Sequence, residues 1–400
     1  MAKLKSLPKS AARAALLKAR QQRKMACSPE RYVRGATGQF YDWLRSRTRG
    51  RLSEGPEIWI CGDCHIGNIG PLADPQGRVV IEIRDLDQAV IGNPAHDLVR
   101  LGLSLASAAR GSDLPGVATA LMLECLVEGY SQAFEPGFKE GDLTMPKAVR
   151  RGLKLSKSAN WSTLAEARLE TAKPTIPLGK RFWPLSRSER REVEKLAAGE
   201  DMHQLVTRLR HRDHDSAVEL VDAAYWVKGC SSLGLVRLAL LMRVRGEEKK
   251  EYCLVDIKQA VHAAAPQAPH AAMPRDNARR VVDAAQALSP SLGYRMLATR
   301  LFDRPVFIRE LLPQDLKLEV ENLSHKQASH TARLLGAVVG QAHARQMDRE
   351  TRKSWLAELK RRQSKAVETP SWLWTSVVDL LAEHERAYLD HCRRYALAKE

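Results

Sequence analysis

Ile58-Trp59-Ile60-Cys61-Gly62-Asp63-Cys64-His65-Ile66-Gly67-Asn68, followed on the next apolar run by Ile83-Arg84-Asp85-Leu86-Asp87-Gln88-Ala89, decides how this chain is read. The run 58–60 predicts a strand that stops at Gly62-Asp63, and the run 79–83 predicts a second that stops at Asp85. Two buried strands thereby deliver a carboxylate each to a strand end, where functional groups gather. An Asp, an Asn at the fifth position after it and a separate Asp on the next strand form the layout that phosphoryl transfer needs. One carboxylate accepts the proton of the attacking hydroxyl, while the amide oxygen and the second carboxylate are hard ligands for Mg²⁺ at the nucleotide phosphates. A single strand-end Asp would serve as a turn former or N-cap, and Asp97 in Gly92-Asn93-Pro94-Ala95-His96-Asp97-Leu98 reads as a cap or loop anchor.

A second informative stretch is Val227-Lys228-Gly229-Cys230-Ser231-Ser232-Leu233-Gly234-Leu235, small residues in a tight turn between two β-prone runs. Such a loop lets backbone N–H groups approach phosphates. An apolar strand ending in Ile257-Lys258-Gln259 follows it, and a Gly-rich hairpin followed by a strand lysine is how kinase-like nucleotide lobes neutralise ATP phosphates. Taken alone, Lys258 reads as an edge-strand lysine that discourages aggregation. The helix expected over 277–288 offers Asp283 as a carboxylate to pair with Lys258.

The 400 residues, 44% of them hydrophobic, suffice for one large domain or two ordinary ones with real cores. Seven scattered cysteines and no secretory signal point to reduced thiols in a cytoplasm, and no apolar run is long enough to span a membrane. The balance of 64 basic against 47 acidic side chains, +17, favours anionic partners: nucleotides, phosphorylated metabolites, nucleic acid or membrane surfaces. Residues 1–29 hold no acid and predict a basic helix over 11–25, read as a surface helix packed on the domain, with an RNA-binding arm or a transit peptide as alternatives. Cys61-Gly62-Asp63-Cys64-His65 also fits haem attachment or a redox pair. Haem attachment belongs to an exported chain and a redox pair to a helix start, whereas 66–70 reads as a loop. Arg208 to Asp215 reads as a solvated turn before a metal site through His211 and His214.

Gly62-Asp63-Cys64-His65-Ile66-Gly67-Asn68 resembles the Gly-Asp-x-His-x-x-Asn loop of aminoglycoside phosphotransferases and related kinase-like enzymes. Ile83-Arg84-Asp85-Leu86-Asp87-Gln88-Ala89 resembles their metal-binding Ile-Asp-x-Glu-x-Ala segment, and the 92–98 stretch resembles the Gly-Asp-Pro-x-x-Asp-Leu that follows it. The segment 334–344 resembles the Leu-Ala-x-Leu-His helix that precedes the catalytic loop there, which makes His343 a buried structural histidine. Met25-Ala26-Cys27-Ser28-Pro29-Glu30-Arg31-Tyr32-Val33-Arg34-Gly35 resembles the signature that opens the bacterial family catalogued as domain of unknown function 2252, which also carries the catalytic-loop pattern. Arg34 is a candidate anion contact within it. The middle glycine of the kinase-like Gly-x-Gly-x-x-Gly is Ser231 here, which would alter how closely the loop covers a nucleotide.

In kinase-like enzymes the Gly-rich loop and lysine come first, then the Leu-His helix, then the catalytic Asp. Here the cyclic order is kept and the starting point is moved. The resemblance therefore implies an α+β protein with a two-lobed, circularly permuted protein-kinase-like fold. Residues 1–220 would form a helical lobe with the catalytic and metal loops, 221–315 a β-rich nucleotide lobe, and 316–400 helices completing the first lobe. The implied activity is an ATP- and Mg²⁺-dependent phosphotransfer to a small hydroxyl- or amine-bearing substrate. Asp63 would be the base, Asn68 and Asp85 the metal ligands, and Asp87 a second metal or substrate contact. Gly229, Ser231, Ser232, Gly234 and Lys258 would grip the phosphates, with Asp283 behind Lys258. Two other classes stay open: a non-catalytic nucleotide-binding module or nucleotidyl transferase on the same fold, and a basic nucleic-acid-binding protein whose affinity falls steeply with salt.

Overall fold

Helix α1 (Ser10–Met25) opens the chain and is basic along its length, with Leu17 as its buried anchor. The computed structural model describes residues 10–47, 52–74, 76–111, 114–138, 146, 149–151, 153–154, 175–209, 212–246, 250–312, 325–361, 363–364 and 367–395. His211, the expected division at 315 and most of the stretch 135–160 lie outside the described residues. Helix α2 (Pro29–Gly35) starts where Ser28 Oγ accepts from Arg31 N and Pro29 fills the first position, and α3 (Thr37–Arg47) follows.

Four short strands come next: β1 (Ile58–Ile60), β2 (Ile69–Ala73), β3 (Val79–Ile83) and β4 (Val90–Gly92). β1 pairs with β4 and β2 pairs with β3, both antiparallel. The sequence reading places strands at β1 and β3 and passes over the other two. β2 contains Gly70 and Pro71, which are turn signals, and β4 is too short to show a period. Helices α4 (Ala95–Gly111) and α5 (Gly116–Gln132) follow.

Strand β5 (Phe182–Trp183) precedes α6 (Arg187–Ala197), which begins with a capping box between Ser186 and Glu189, and α7 (Glu200–Thr207). Then come β6 (Ala217–Trp226), β7 (Arg237–Arg245), β8 (Lys250–Gln259), α8 (Asn277–Leu288), α9 (Pro290–Gly293), β9 (Met296–Leu301) and β10 (Arg304–Leu311). Helices α10 (His325–Ala344), α11 (Arg349–Arg361) and α12 (Ser371–Tyr395) close the described chain. The fold is α+β, with an antiparallel six-stranded sheet in the order β5-β6-β7-β8-β10-β9. Lys258 thus sits on an interior strand, flanked by β7 and β10, and an edge-protecting role is excluded. Among the described residues no helix is long and apolar enough to cross a membrane.

Two cores form. The larger gathers α4, α5, α10 and α12 around the four short strands and includes Val281 and Leu288 of α8. The smaller lies against the sheet and draws in Leu17 of α1, Trp183, Val193 and Val206. Apolar packing crosses the chain division at 220: β5, α6 and α7 pack with the sheet, and α8 lies on β9 and β10 while its buried side chains join the larger core. The described part of 208–215 is not all solvated, because Arg212 is buried against Glu310 at 2.8 Å and Glu251 at 3.1 Å.

Helices α5 and α10 touch backbone to backbone, since a Cβ on Gly336 would stand 2.1 Å from Leu126 O and one on Gly129 would stand 2.0 Å from Arg333 O. Gly336→Ala must push the helices apart and is expected to cost about 1–3 kcal/mol, the range for overpacking a tight contact. Urea denaturation measures it, and an unchanged midpoint would refute this crossing.

Candidate functional site

The turn after β1 is built by glycine and by Asp97. Gly62 has φ +71 and a Cβ there would stand 2.1 Å from Gln88 O, so only glycine lets this turn lie against the loop that follows β3. Asp97, in the first turn of α4 and fully buried, accepts from Cys61 N at 2.7 Å and from Gly62 N at 3.0 Å. His343 Nε2 lies 3.2 Å from the same carboxylate, Tyr130 Oη lies 3.0 Å from His343 Nδ1, and Trp355 Nε1 donates to Tyr130 Oη at 2.9 Å. An indole only donates, so the tyrosine hydrogen goes to Nδ1 and the histidine proton is assigned to Nε2, facing Asp97. Asp97 is the anchor of the loop, and His343 is structural.

Asp63 projects from this turn. Its Oδ1 accepts from Arg100 Nε at 2.9 Å, and Arg100 Nη2, fully enclosed, also donates to Val33 O at 2.6 Å. Oδ2 faces His65 Nε2 at 3.9 Å. Asn68 Nδ2 donates to Asp63 O at 2.9 Å, and Arg84 N donates to Asn68 O at 2.7 Å. The hairpin register pairs Ile69 with Ile83, which sets Asn68 beside Arg84 and brings Asp85 to the same end. Asn68 thus bonds the backbone of Asp63, and Asp85 follows at the same end of the hairpin. Arg100 was not anticipated; a lone cation within the apolar run 98–105 was the available signal.

Burial pushes the His65 imidazole down to about 4 and the His384 imidazole down to about 3, both from 6.5. Below 6.5 the unfolded chain takes up protons at these rings that the native protein refuses, so stability is full above that pH and lost as pH falls towards 4. The slope approaches about 1.4 kcal/mol per pH unit for each ring, and His384→Gln should flatten it when urea midpoints at about pH 7 and about pH 5 are compared. Equal slopes in the two proteins would contradict this.

Lys258 arrives from the sheet, 173 positions along the chain from Asp85, and its Nζ lies 3.3 Å from Asp85 Oδ1 and closer still to Asp87 Oδ2. The ammonium is enclosed, with 4% of the side chain exposed, whereas 44% of the Asp85 side chain is open to solvent. Burial opposes ionisation of Asp85, but Lys258, and beyond it Arg309 and Arg237, hold that carboxyl well below the usual range. Burial and then the charge of Asp85 push Asp87 the other way. Asp87 Oδ1 is buried without a hydrogen-bond partner, and the Asn68 amide has its NH₂ committed, which leaves oxygens of the kind a hard divalent cation takes.

The expected pairing of Asp283 with Lys258 is not made. Asp283 pairs with Arg279 on its own helix at 2.7 Å, and the lysine is already held between Asp85 and Asp87. The residue that ties α8 to the site is Arg280, which donates to the backbone carbonyls of Asp87 and Val261 at 2.9 Å and to that of Ala89. Asp256, on the same strand face as Lys258, takes Arg237 at 2.9 and 2.6 Å and Arg309 Nη2 at 3.2 Å. Arg309 Nη1 reaches on to Arg84 O at 3.0 Å, so this network joins the sheet to the Asp85 loop. A carboxylate inside the apolar run 254–257 was the overlooked signal.

In the Gly-rich loop, positive φ falls on Gly229 (+97) and Gly234 (+102), and among the described residues Ser231 is not in that region. Serine is therefore tolerated at the middle position without strain. Lys24 Nζ donates to Gly229 O at 2.6 Å, Leu233 N to Cys230 O at 3.3 Å, Gln21 Nε2 to Ser231 O at 3.2 Å and Leu235 N to Ser232 O at 3.2 Å. These bonds engage the carbonyls of Gly229, Cys230, Ser231 and Ser232. Arg237, at the loop's exit, pairs in register with Lys258.

No curated protein and no solved structure matches this chain. A bacterial family described as an uncharacterized protein conserved in bacteria (DUF2252) matches residues 13–394, and the chain belongs to that family.

Proposed function

We propose that the protein is an ATP- and Mg²⁺-dependent phosphotransferase with a circularly permuted, two-lobed, kinase-like arrangement, acting on a small hydroxyl- or amine-bearing acceptor. The observation that carries this reading is the meeting of Lys258 with Asp85 and Asp87, beside Asn68 and Asp63, from segments far apart in the chain. Asn68, Asp85 and Asp87 fit a hard divalent cation, and Mg²⁺ held there would neutralise charge on the nucleotide phosphates. Lys258 and the N–H groups of 229–232 bind those phosphates. Asp63 Oδ2 takes the proton of the acceptor, while Arg100 fixes Oδ1 and keeps the carboxylate oriented. In this reading the sheet covers the nucleotide, and the larger helical core carries the catalytic and metal loops.

A second reading, a nucleotide-binding scaffold, is favoured by one observation: α1 holds the Gly-rich loop through Lys24 and Gln21, which restrains its movement over a ligand. ADP release from Mg–ATP in the presence of pooled hydroxyl and amine compounds separates the two. Turnover lost in Asp63→Asn supports transfer, tight Mg–ATP binding without turnover supports the scaffold, and absence of both refutes the nucleotide site.

A further inference from the structure

Two side chains of the β1 turn take no part in the chemistry above. Cys61 and Cys64 flank Gly62 and Asp63, are fully buried, and are hydrogen-bonded to each other. Their sulfurs and a carboxylate oxygen of Asp97, itself fully buried, all lie within 4.8 Å of one another. Cys-x-x-Cys is the spacing of one half of a structural zinc site, and such sites are closed to solvent.

Asp97 supplies a second observation. Among the described residues, the one basic side chain in ion-pair contact with it is His343, at 3.2 Å. That ring is neutral, because Nδ1 takes the Tyr130 hydrogen while Nε2 carries the proton. Arg100 is committed to Asp63. Asp97 is thus a buried carboxylate held by neutral donors, Cys61 N, Gly62 N and His343. Hydrogen bonds offset part of the cost of burying its charge, and a bound cation would offset more. Oδ1 accepts one backbone N–H, from Gly62, and an ionised oxygen has room for a further partner. His343 meanwhile orients the carboxylate through an N–H bond, as the outer partners of metal ligands do.

We propose that Cys61, Cys64 and Asp97 form a zinc site that ties the β1 turn, and with it Asp63, to helix α4. Zinc takes thiolate at about 2.3 Å, which sets tetrahedral sulfurs about 3.8 Å apart, inside the spread of these donors. Two thiolates and a chelating carboxylate make four contacts. Each thiol releases its proton as its sulfur bonds the metal, so one Zn²⁺ replaces two protons. The net charge of the pocket is then unchanged, and no additional charge has to be buried. Sulfur selects zinc over the hard Mg²⁺ suited to the oxygens of Asn68, Asp85 and Asp87, so this site does not rest on the nucleotide reading.

The test is titration of Co²⁺ and then Zn²⁺ into the full chain, stripped with a chelator and kept in a phosphine reductant so that both thiols stay free. Cobalt held by two thiolates gives an intense sulfur-to-metal charge-transfer band that oxygen ligands do not give. The wild type should develop the band, saturate at about one equivalent, and lose it when Zn²⁺ displaces Co²⁺. Cys64→Ser should weaken or remove the band and bind Zn²⁺ at least about tenfold more weakly, and His343→Gln should lose about 10- to 100-fold in affinity. Cys27→Ser deletes an exposed thiol and should change neither. A urea denaturation beside each titration checks the fold, and Cys64→Ala is read where Cys64→Ser does not fold. A wild type that shows no band, that binds Co²⁺ without it, or whose band and Zn²⁺ affinity survive both substitutions at Cys64 overturns the zinc site.

Discussion

Asp63→Asn is expected to lower turnover by about 10²- to 10⁴-fold, the usual worth of a positioned general base, while Mg–ATP affinity stays within about twofold. The amide has the shape of the carboxylate and its oxygen can still accept from Arg100 Nε, which lies 2.9 Å from Oδ1 in the native protein. What it lacks is the capacity to take a proton from an acceptor. Alanine is the wrong substitution, because it leaves the fully buried Arg100 with neither acceptor nor countercharge, at a cost of about 3–5 kcal/mol, whereas asparagine keeps the acceptor and loses the countercharge alone. A loss of activity in that variant would be a loss of fold. Single-turnover ADP release, run beside a urea denaturation, separates the effects. Wild-type turnover in a folded Asp63→Asn protein would remove Asp63 from the chemistry.

Much of the site could be read in the sequence because its parts are local. Asp63 and Asn68 share one turn, Asp85 ends the strand that pairs with the one after Asn68, and Gly229 and Gly234 occupy the positions of positive φ. Helix α8 spans 277–288 as expected, and Asp276 caps its first turn. Partner choice was not legible. Which carboxylate meets Lys258 depends on how α8 and the Asp85 loop approach β8, and that is set by packing between elements distant in sequence; hence Asp283 was expected where Asp85 and Asp87 stand. The interior position of β8 follows from β10 inserting between β8 and β9, a non-sequential order that no local pattern encodes. Arg100 and the Asp256 network looked like charges misplaced in apolar runs, and only the fold supplies their partners.

The central claim is that segments 173 positions apart, one carrying Asp85 and the other Lys258, form one nucleotide site. Removing either side chain should then damage the same binding event in different ways. Lys258→Ala deletes a charge-assisted contact to phosphate and is expected to weaken Mg–ATP about 10- to 100-fold. It also frees Asp85 and Asp87 from their competing cation, so affinity for Mg²⁺ alone should rise. Asp85→Ala should instead remove the dependence of nucleotide affinity on Mg²⁺, since the metal loses its most open carboxylate.

Calorimetric titration of wild type, Lys258→Ala and Asp85→Ala with ATP, with and without Mg²⁺, is the direct measurement, and melting temperature gives a second readout because a ligand of the native state raises apparent stability. The account predicts metal-dependent binding in the wild type that both substitutions weaken, with opposite effects on the metal alone. Wild-type protein that binds no ATP, or ATP affinity that survives both substitutions, would contradict it.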